Sequence, residues 1–226
     1  MTTELAKQLR EGVQAFYEAQ GTAFSETRAF VWKEETLVAE RILPGMTVAD
    51  IGAGNGRFAR LLPAHVTYIG IEPSESLRAC GLDSVDLRAG GFPTIPLEPD
   101  FADVTTCFAV IQHLPTIEER KQAVSELIRI TKPGGLLAIT SWHPLPEMTK
   151  QTITPLPGGE EGDLWVSWKA EGAHTQRYIH DMSFPEWTAL WDRPELSIEQ
   201  VGLFGRNDWT DDVTQGRNWF VLAKKR

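Results

Sequence analysis

Asp50-Ile51-Gly52-Ala53-Gly54-Asn55-Gly56 is the segment of this sequence best equipped to hold a ligand. Glycines let the backbone turn tightly and let a ligand approach without interference from a Cβ. Amides at the start of a following helix attract negative charge. A dinucleotide turn uses the same devices in the spacing G-x-G-x-x-G. Here the spacing is G-x-G-x-G behind an acid, Asp50, which suits a ligand that carries an ammonium and no pyrophosphate. Glu72 closes the next apolar run, where a carboxylate accepts both hydroxyls of a ribose. A dehydrogenase places an acid there too, so Glu72 fits either ligand. Lys132-Pro133-Gly134-Gly135 has no expected part in nicotinamide binding. A plain tight turn in an α/β fold is the bland alternative for the glycines.

Such a turn needs a strand before it and a helix after it. Thr47 to Ile51 is a short apolar run closed by glycines, the mark of a buried strand. Phe58, Ala59, Leu61 and Leu62 suit one helix face. Val66 to Ile71, Val85 to Leu87, Phe101 to Ile111 and Leu136 to Trp142 read as further strands. Thr116-Ile117-Glu118-Glu119 is a capping box for a helix that Pro133-Gly134-Gly135 breaks. Two helices are expected upstream, over Glu4 to Ala19 and from about Ser25 to Leu43. From His143 the prolines and glycines thicken, which predicts a long loop or lid over 143–175. A last helix opens at Ser183, and Leu196 to Phe204 with Asn218 to Ala223 form an antiparallel pair at the sheet edge. The expectation is an α/β, doubly wound, mostly parallel seven-stranded sheet with that edge pair. One domain would cover 1–226: N-terminal helices over 1–44, a cofactor-binding core over 45–142, the lid over 143–175 and a substrate-side region over 176–226.

The formal net charge of −9 argues against a general basic surface for nucleic acid, and leaves open a local basic patch or a partner that supplies one. Cys80 and Cys107 form no CxxC or His cluster, so neither a disulfide framework nor a metal site is expected. No apolar stretch approaches the length of a membrane span, and no basic region with an apolar run opens the chain. A cytoplasmic, non-membrane location follows as an expectation.

With these motifs the chain resembles class I methyltransferases, which bind S-adenosylmethionine. The resemblance implies Asp50 near the ligand ammonium, Gly52 and Gly54 under the methionine moiety, and Glu72 on the ribose. Asn55 and Gly56 of the same turn are counted with them. The family usually places an acid or amide on the adenine amine, at the position that is Gly91 here. The resemblance then leaves adenine to backbone groups around Gly91-Phe92. Ala109 to Ile111 end the fourth strand, where the methyl-transfer centre falls.

Four segments further resemble the tRNA wobble-uridine methyltransferases that esterify a carboxymethyl group. These are Phe24-Ser25-Glu26-Thr27-Arg28 with Trp32, Ala109 to Leu114, Gln176-Arg177-Tyr178-Ile179-His180, and Arg217-Asn218-Trp219-Phe220. Ala53 stands where that subfamily has a cysteine, and Gln112 where it has a second histidine. A carboxylate acceptor is already ionised at neutral pH, its reference pKa being about 4, and needs orientation rather than a base. Arg28 and Arg177 are then the natural clamps, through paired guanidinium hydrogen bonds. His113, Tyr178 and His180 would orient the acceptor, with Trp142 and Asn218 beside it. A hydroxyl or amine acceptor would instead need a base, and His113 is the first candidate. Each residue also has a bland reading: Arg28 as a surface ion pair, His113 as a turn cap, Tyr178 and His180 as ordinary half-buried strand positions. The resemblance implies tRNA and a small zinc-binding activator subunit as partners. A small-molecule O- or N-methyltransferase and a catalytically silent binding module are the alternatives.

Overall fold

The computed structural model describes residues 1–27, 30–145, 152–170 and 173–226. Helix α1 (Thr3–Glu26) begins where the Thr2 hydroxyl accepts from the Leu5 amide. It buries Ala6, Leu9 and Phe16, and at Gly21 it comes so close to Ser76 that a Cβ would overlap the serine hydroxyl. Helix α2 is Lys33–Ala39, so the stretch 25–43, expected as a single helix, holds the end of α1 and the whole of α2.

Strands β1 (Thr47–Ile51), β2 (Thr67–Ile71), β3 (Asp86–Arg88), β4 (Ala102–Phe108) and β5 (Thr131–Trp142) pair in parallel, in the order β3-β2-β1-β4-β5. Helices α3 (Glu75–Ala79) and α4 (Ile117–Ile130) lie between strands, and α5 (Phe184–Trp191) precedes β9 (Leu196–Phe204). The expected antiparallel pair is β9 with β11 (Asn218–Lys225). β11 is inserted between β5 and β9, and a two-residue β10 (Trp209–Thr210) adds an eighth strand at the edge. One sheet face buries Ile51, Ile71, Leu127, Ile139, Trp187 and Trp191; the other buries Val38, Ile42, Phe58, Val104, Ala138 and Phe220. Apolar residues on both faces of one sheet are what a doubly wound fold requires.

Two expectations are corrected. The glycine turn opens a 3-10 helix, Arg57–Leu61, in place of an α-helix, because Gly56 enters it at φ +70° and Pro63 stands just beyond its end. The stretch 143–175, read as loop, holds β6 (Ile153–Pro155), β7 (Asp163–Ala170) and the start of β8 (Ala173–His180), an antiparallel three-stranded sheet. Prolines and glycines hid the alternation in which Val166 and Trp168 turn inward. The boundary at 175 therefore cuts through β8. Among the described residues no helix is long and apolar enough to cross a membrane.

Candidate active site

The carboxyl ends of β1 and β4 open into a cavity of about 1210 Å³. The glycine turn forms its floor. Gly52 and Gly54 have φ of +73° and +58°, a region that side chains avoid. A Cβ on Gly52 would overlap Val110, whereas one on Gly54 would meet nothing within 4 Å, so the turn is open to the cavity at Gly54. Glu72, at the end of β2, accepts from the Gly54 amide at 2.9 Å and from the Ser74 amide at 2.9 Å. Burial lifts its carboxyl above the ordinary range, and those amides partly restore it. A carboxylate has further lone pairs, so Glu72 can still receive hydroxyls. Asn55 ties the turn to α1 by donating to the Ser25 hydroxyl at 2.7 Å. Arg57 pairs with Glu35 at 2.5 Å and lies 4.6 Å over the Trp32 ring.

The opposite wall is built from α1, β5, β8 and β11. Ala109 leaves β4 at φ +55°, with its amide 3.0 Å from the Thr140 hydroxyl and its carbonyl accepting from Gln112 at 2.6 Å. His113 holds Nδ1 2.8 Å from the Tyr178 carbonyl, which only accepts, so Nδ1 carries the proton. Nε2 then accepts from the Tyr17 hydroxyl at 2.9 Å. Burial, and secondarily the charge of Arg177, pushes His113 down to about 3. The ring is neutral and its free lone pair is taken.

Arg177 is 3% exposed, and its Nε and Nη1 have no hydrogen-bond partner among the described residues. Its guanidinium carbon sits 5.2 Å from the Phe16 ring and 5.7–5.8 Å from Phe24, Trp142 and Trp168. Pairing of Asn218 with Trp142 across β11 and β5 puts both on the same wall. Asn218 donates from Nδ2 to Glu34, and its buried Oδ1 has no partner among the described residues.

A family profile described as a methyltransferase domain matches residues 49–139, from the glycine turn to β5. An Arabidopsis thaliana tRNA (carboxymethyluridine(34)-5-O)-methyltransferase is 33% identical over 131 residues, 58% of this chain and 32% of that protein. The chain thus spans about a third of the length of that relative. Two solved structures share the fold. SAM-bound CalS10, an amino pentose methyltransferase of Micromonospora echinaspora, has TM-score 0.61 at 22% identity, over 91% of this chain and 96% of that one. A chain from the Haloferax volcanii complex of the Trm112 methyltransferase activator with a methyltransferase has TM-score 0.64 at 15% identity, over 94% and 97%. The chain carries a class I, S-adenosylmethionine-dependent methyltransferase domain.

S-adenosyl-L-methionine supplies a methyl group on a sulfonium centre and leaves as a neutral thioether. The methyltransferase domain has the parts to hold it: the open turn at Gly54, the Glu72 carboxylate, Ala109, and Gly91 with Phe92 on the cavity wall. Asp50 and Gly56, also expected to touch it, are not in the cavity lining. Both Asp50 oxygens are engaged, by the Tyr68 hydroxyl and the Thr106 hydroxyl at 2.7 Å each, which ties β1 to β2 and β4. Gly56 is packed against Val85 and Leu87.

Two acceptor-side expectations are also corrected. Tyr178 is fully buried and donates to Asp163 at 2.6 Å; His180 contacts the same carboxylate through Nδ1 at 2.8 Å and Glu186 through Nε2 at 3.3 Å. Neither lines the cavity, because strand alternation turns 178 and 180 away from the face that presents Arg177. Arg28 lies outside the described residues. Trp142, beside Arg177, was expected near the acceptor, whereas Arg57, Glu35, Tyr17 and Phe16 escaped a reading by motif. Their only signal was the aromatic stripe Phe16, Tyr17 and Phe24 on α1, which looks like ordinary core. Among the described residues no group of His, Cys, Asp or Glu could hold a metal ion.

Proposed function

We propose that the protein transfers a methyl group from S-adenosylmethionine to a carboxylate, and that this carboxylate is the carboxymethyl group of a tRNA wobble uridine. The supporting observation is Arg177. A buried guanidinium with two unpaired nitrogens in a cavity wall calls for an anion, and a carboxylate answers it with two parallel hydrogen bonds. The neutral, occupied His113 fits the same chemistry, since an ionised acceptor has no proton to give up. The domain's own work is then to strip water from the anion and aim it. The Arabidopsis relative and the four matching segments support tRNA as the carrier. The Haloferax complex supports an activator subunit as partner. A small-molecule carboxylate is the second reading, favoured by the net charge of −9.

The test is incubation with labelled S-adenosylmethionine and either tRNA bearing carboxymethyluridine or a metabolite extract, with and without a zinc-binding activator. Label on tRNA that mild alkali releases is the expected result. Label confined to the metabolites selects the second reading. Absence of cofactor binding by calorimetry would defeat both.

A further inference from the structure

The cavity mouth has an electrostatic character opposite to that of the whole chain. Among the described residues, seven basic side chains line the cavity against three acidic ones, on a protein of net charge −9. The two sides of the mouth differ. On the α1 side, Arg10 is paired with Glu119 and Lys7 with Glu11. On the other side, Lys33, Arg206 and Arg217 are exposed, and none of them forms a salt bridge among the described residues. These three are neighbours in space. The Asn218 side chain donates to Glu34, next to Lys33, and the Arg217 amide donates to the Phe204 carbonyl at 2.8 Å, two residues before Arg206. Burial raises the Glu34 carboxyl, and the charge of Arg217 is among the smaller influences that oppose it. Asp208, Asp211 and Asp212 lie on the same surface loop but do not line the cavity; Asp208 and Asp212 accept from groups of their own loop. Beside the cations stands Phe30, 82% exposed, at the same mouth.

We infer that the Phe30–Lys33 segment, Arg206 and Arg217 form a docking surface for single-stranded RNA flanking the nucleotide that enters the cavity. This rests on the proposal that the acceptor is carried by tRNA. Unpaired cations at the lip of an acidic protein match a phosphate backbone, and an exposed ring offers a base a stacking face. A free small molecule uses neither. The surface also gives a chain of net charge −9 a local means to engage a polyanion: Lys33, Arg206 and Arg217 stand together at the cavity lip.

The surface is tested by fluorescence anisotropy of a labelled RNA hairpin with a single-stranded loop, titrated with the full chain over a range of salt. The wild type should bind the hairpin better than duplex RNA. In Lys33→Glu/Arg206→Glu/Arg217→Glu the slope of log affinity on log salt should shrink by about two, as expected for three lost phosphate contacts at about 0.7 each. Phe30→Ala should weaken hairpin binding about tenfold and leave the slope alone, as for the loss of one stacked base. Lys7→Glu/Arg10→Glu should change neither. Calorimetric cofactor affinity should be unchanged throughout. Equal binding of hairpin and duplex, or an unchanged slope in the triple variant with cofactor affinity intact, overturns the surface. The readout needs no methyl transfer. Hairpin binding with the expected slope but no alkali-labile product supports the surface and defeats only the carboxylate assignment.

Discussion

Burying a guanidinium without an ionic partner is costly, and the four rings around Arg177 offset only part of that cost. A protein retains such an arrangement where function needs it. Arg177→Met should therefore lower kcat/KM on the carboxylate acceptor by roughly tenfold to a hundredfold, the worth of a charged hydrogen-bonded contact. It should leave cofactor affinity unchanged and the melting temperature equal or higher; kinetics, calorimetry and a thermal scan read the three. Normal turnover would remove Arg177 from the acceptor site. His113 behaves differently. With burial holding the ring neutral and both nitrogens engaged, it fits a role in positioning Tyr17 and β8. His113→Asn should reduce the single-turnover rate while preserving the shape of its pH profile. A limb present in the wild type and lost in the variant would make it a base after all. Motif reading grouped Arg177, Tyr178 and His180 in one site, whereas only Arg177 lines the cavity. The segment Gln176 to His180 is one string in sequence, but a strand delivers alternate residues to opposite faces.

At the scale of elements, the glycine turn separates two demands that one motif conflates. Gly52 needs its left-handed φ and has Val110 against it; Gly54 needs only its φ and faces open space. Gly52→Ala should destabilise the fold by about 1–3 kcal/mol through strain and overpacking. Gly54→Ala should cost about 1 kcal/mol of stability, yet weaken cofactor binding at least as much, because its methyl occupies the space left for the ligand. Denaturant melts and calorimetry of the two variants check this; identical profiles would show that the turn acts as a single unit. The parallel strands, α4 and the β9–β11 pair were legible because apolar runs, a capping box and glycine breaks are local signals. The β6-β7-β8 sheet was not, since its pairing joins distant residues and its turns are rich in the residues that mark loops. α1 shows the same limit. Its periodicity predicts a helix, but not that it bridges Ser74 and Ser76, where Glu18 accepts, to the Arg177 cage at Phe16.

At the scale of the molecule, the chain buries several acids near the cavity, and this sets how its stability responds to pH. Burial pushes Glu35 up to about 7, although Arg57 beside it pulls the other way. A carboxyl with a raised folded pKa binds protons that the unfolded chain releases. Its contribution is complete below about pH 4.5 and is lost as pH rises through about 7. Glu35→Gln should flatten the fall in stability across that window by about 3 kcal/mol, measured as denaturant midpoints at several pH values. An unchanged slope would mean that Arg57 keeps Glu35 ionised throughout. The amino-acid sequence by itself determined the alternation of strands and helices, the glycine turn with an acid closing the next strand, and hence the methyltransferase class, because each is written in short local runs of residues. The tertiary structure alone decided which way Arg177 points, that Asp50 braces β1 against β2 and β4, that His113 is neutral and occupied, and that Lys33, Arg206 and Arg217, without a salt bridge among the described residues, meet at one side of the cavity. Those properties depend on burial and on partners far apart in sequence, and neither exists before the chain is folded.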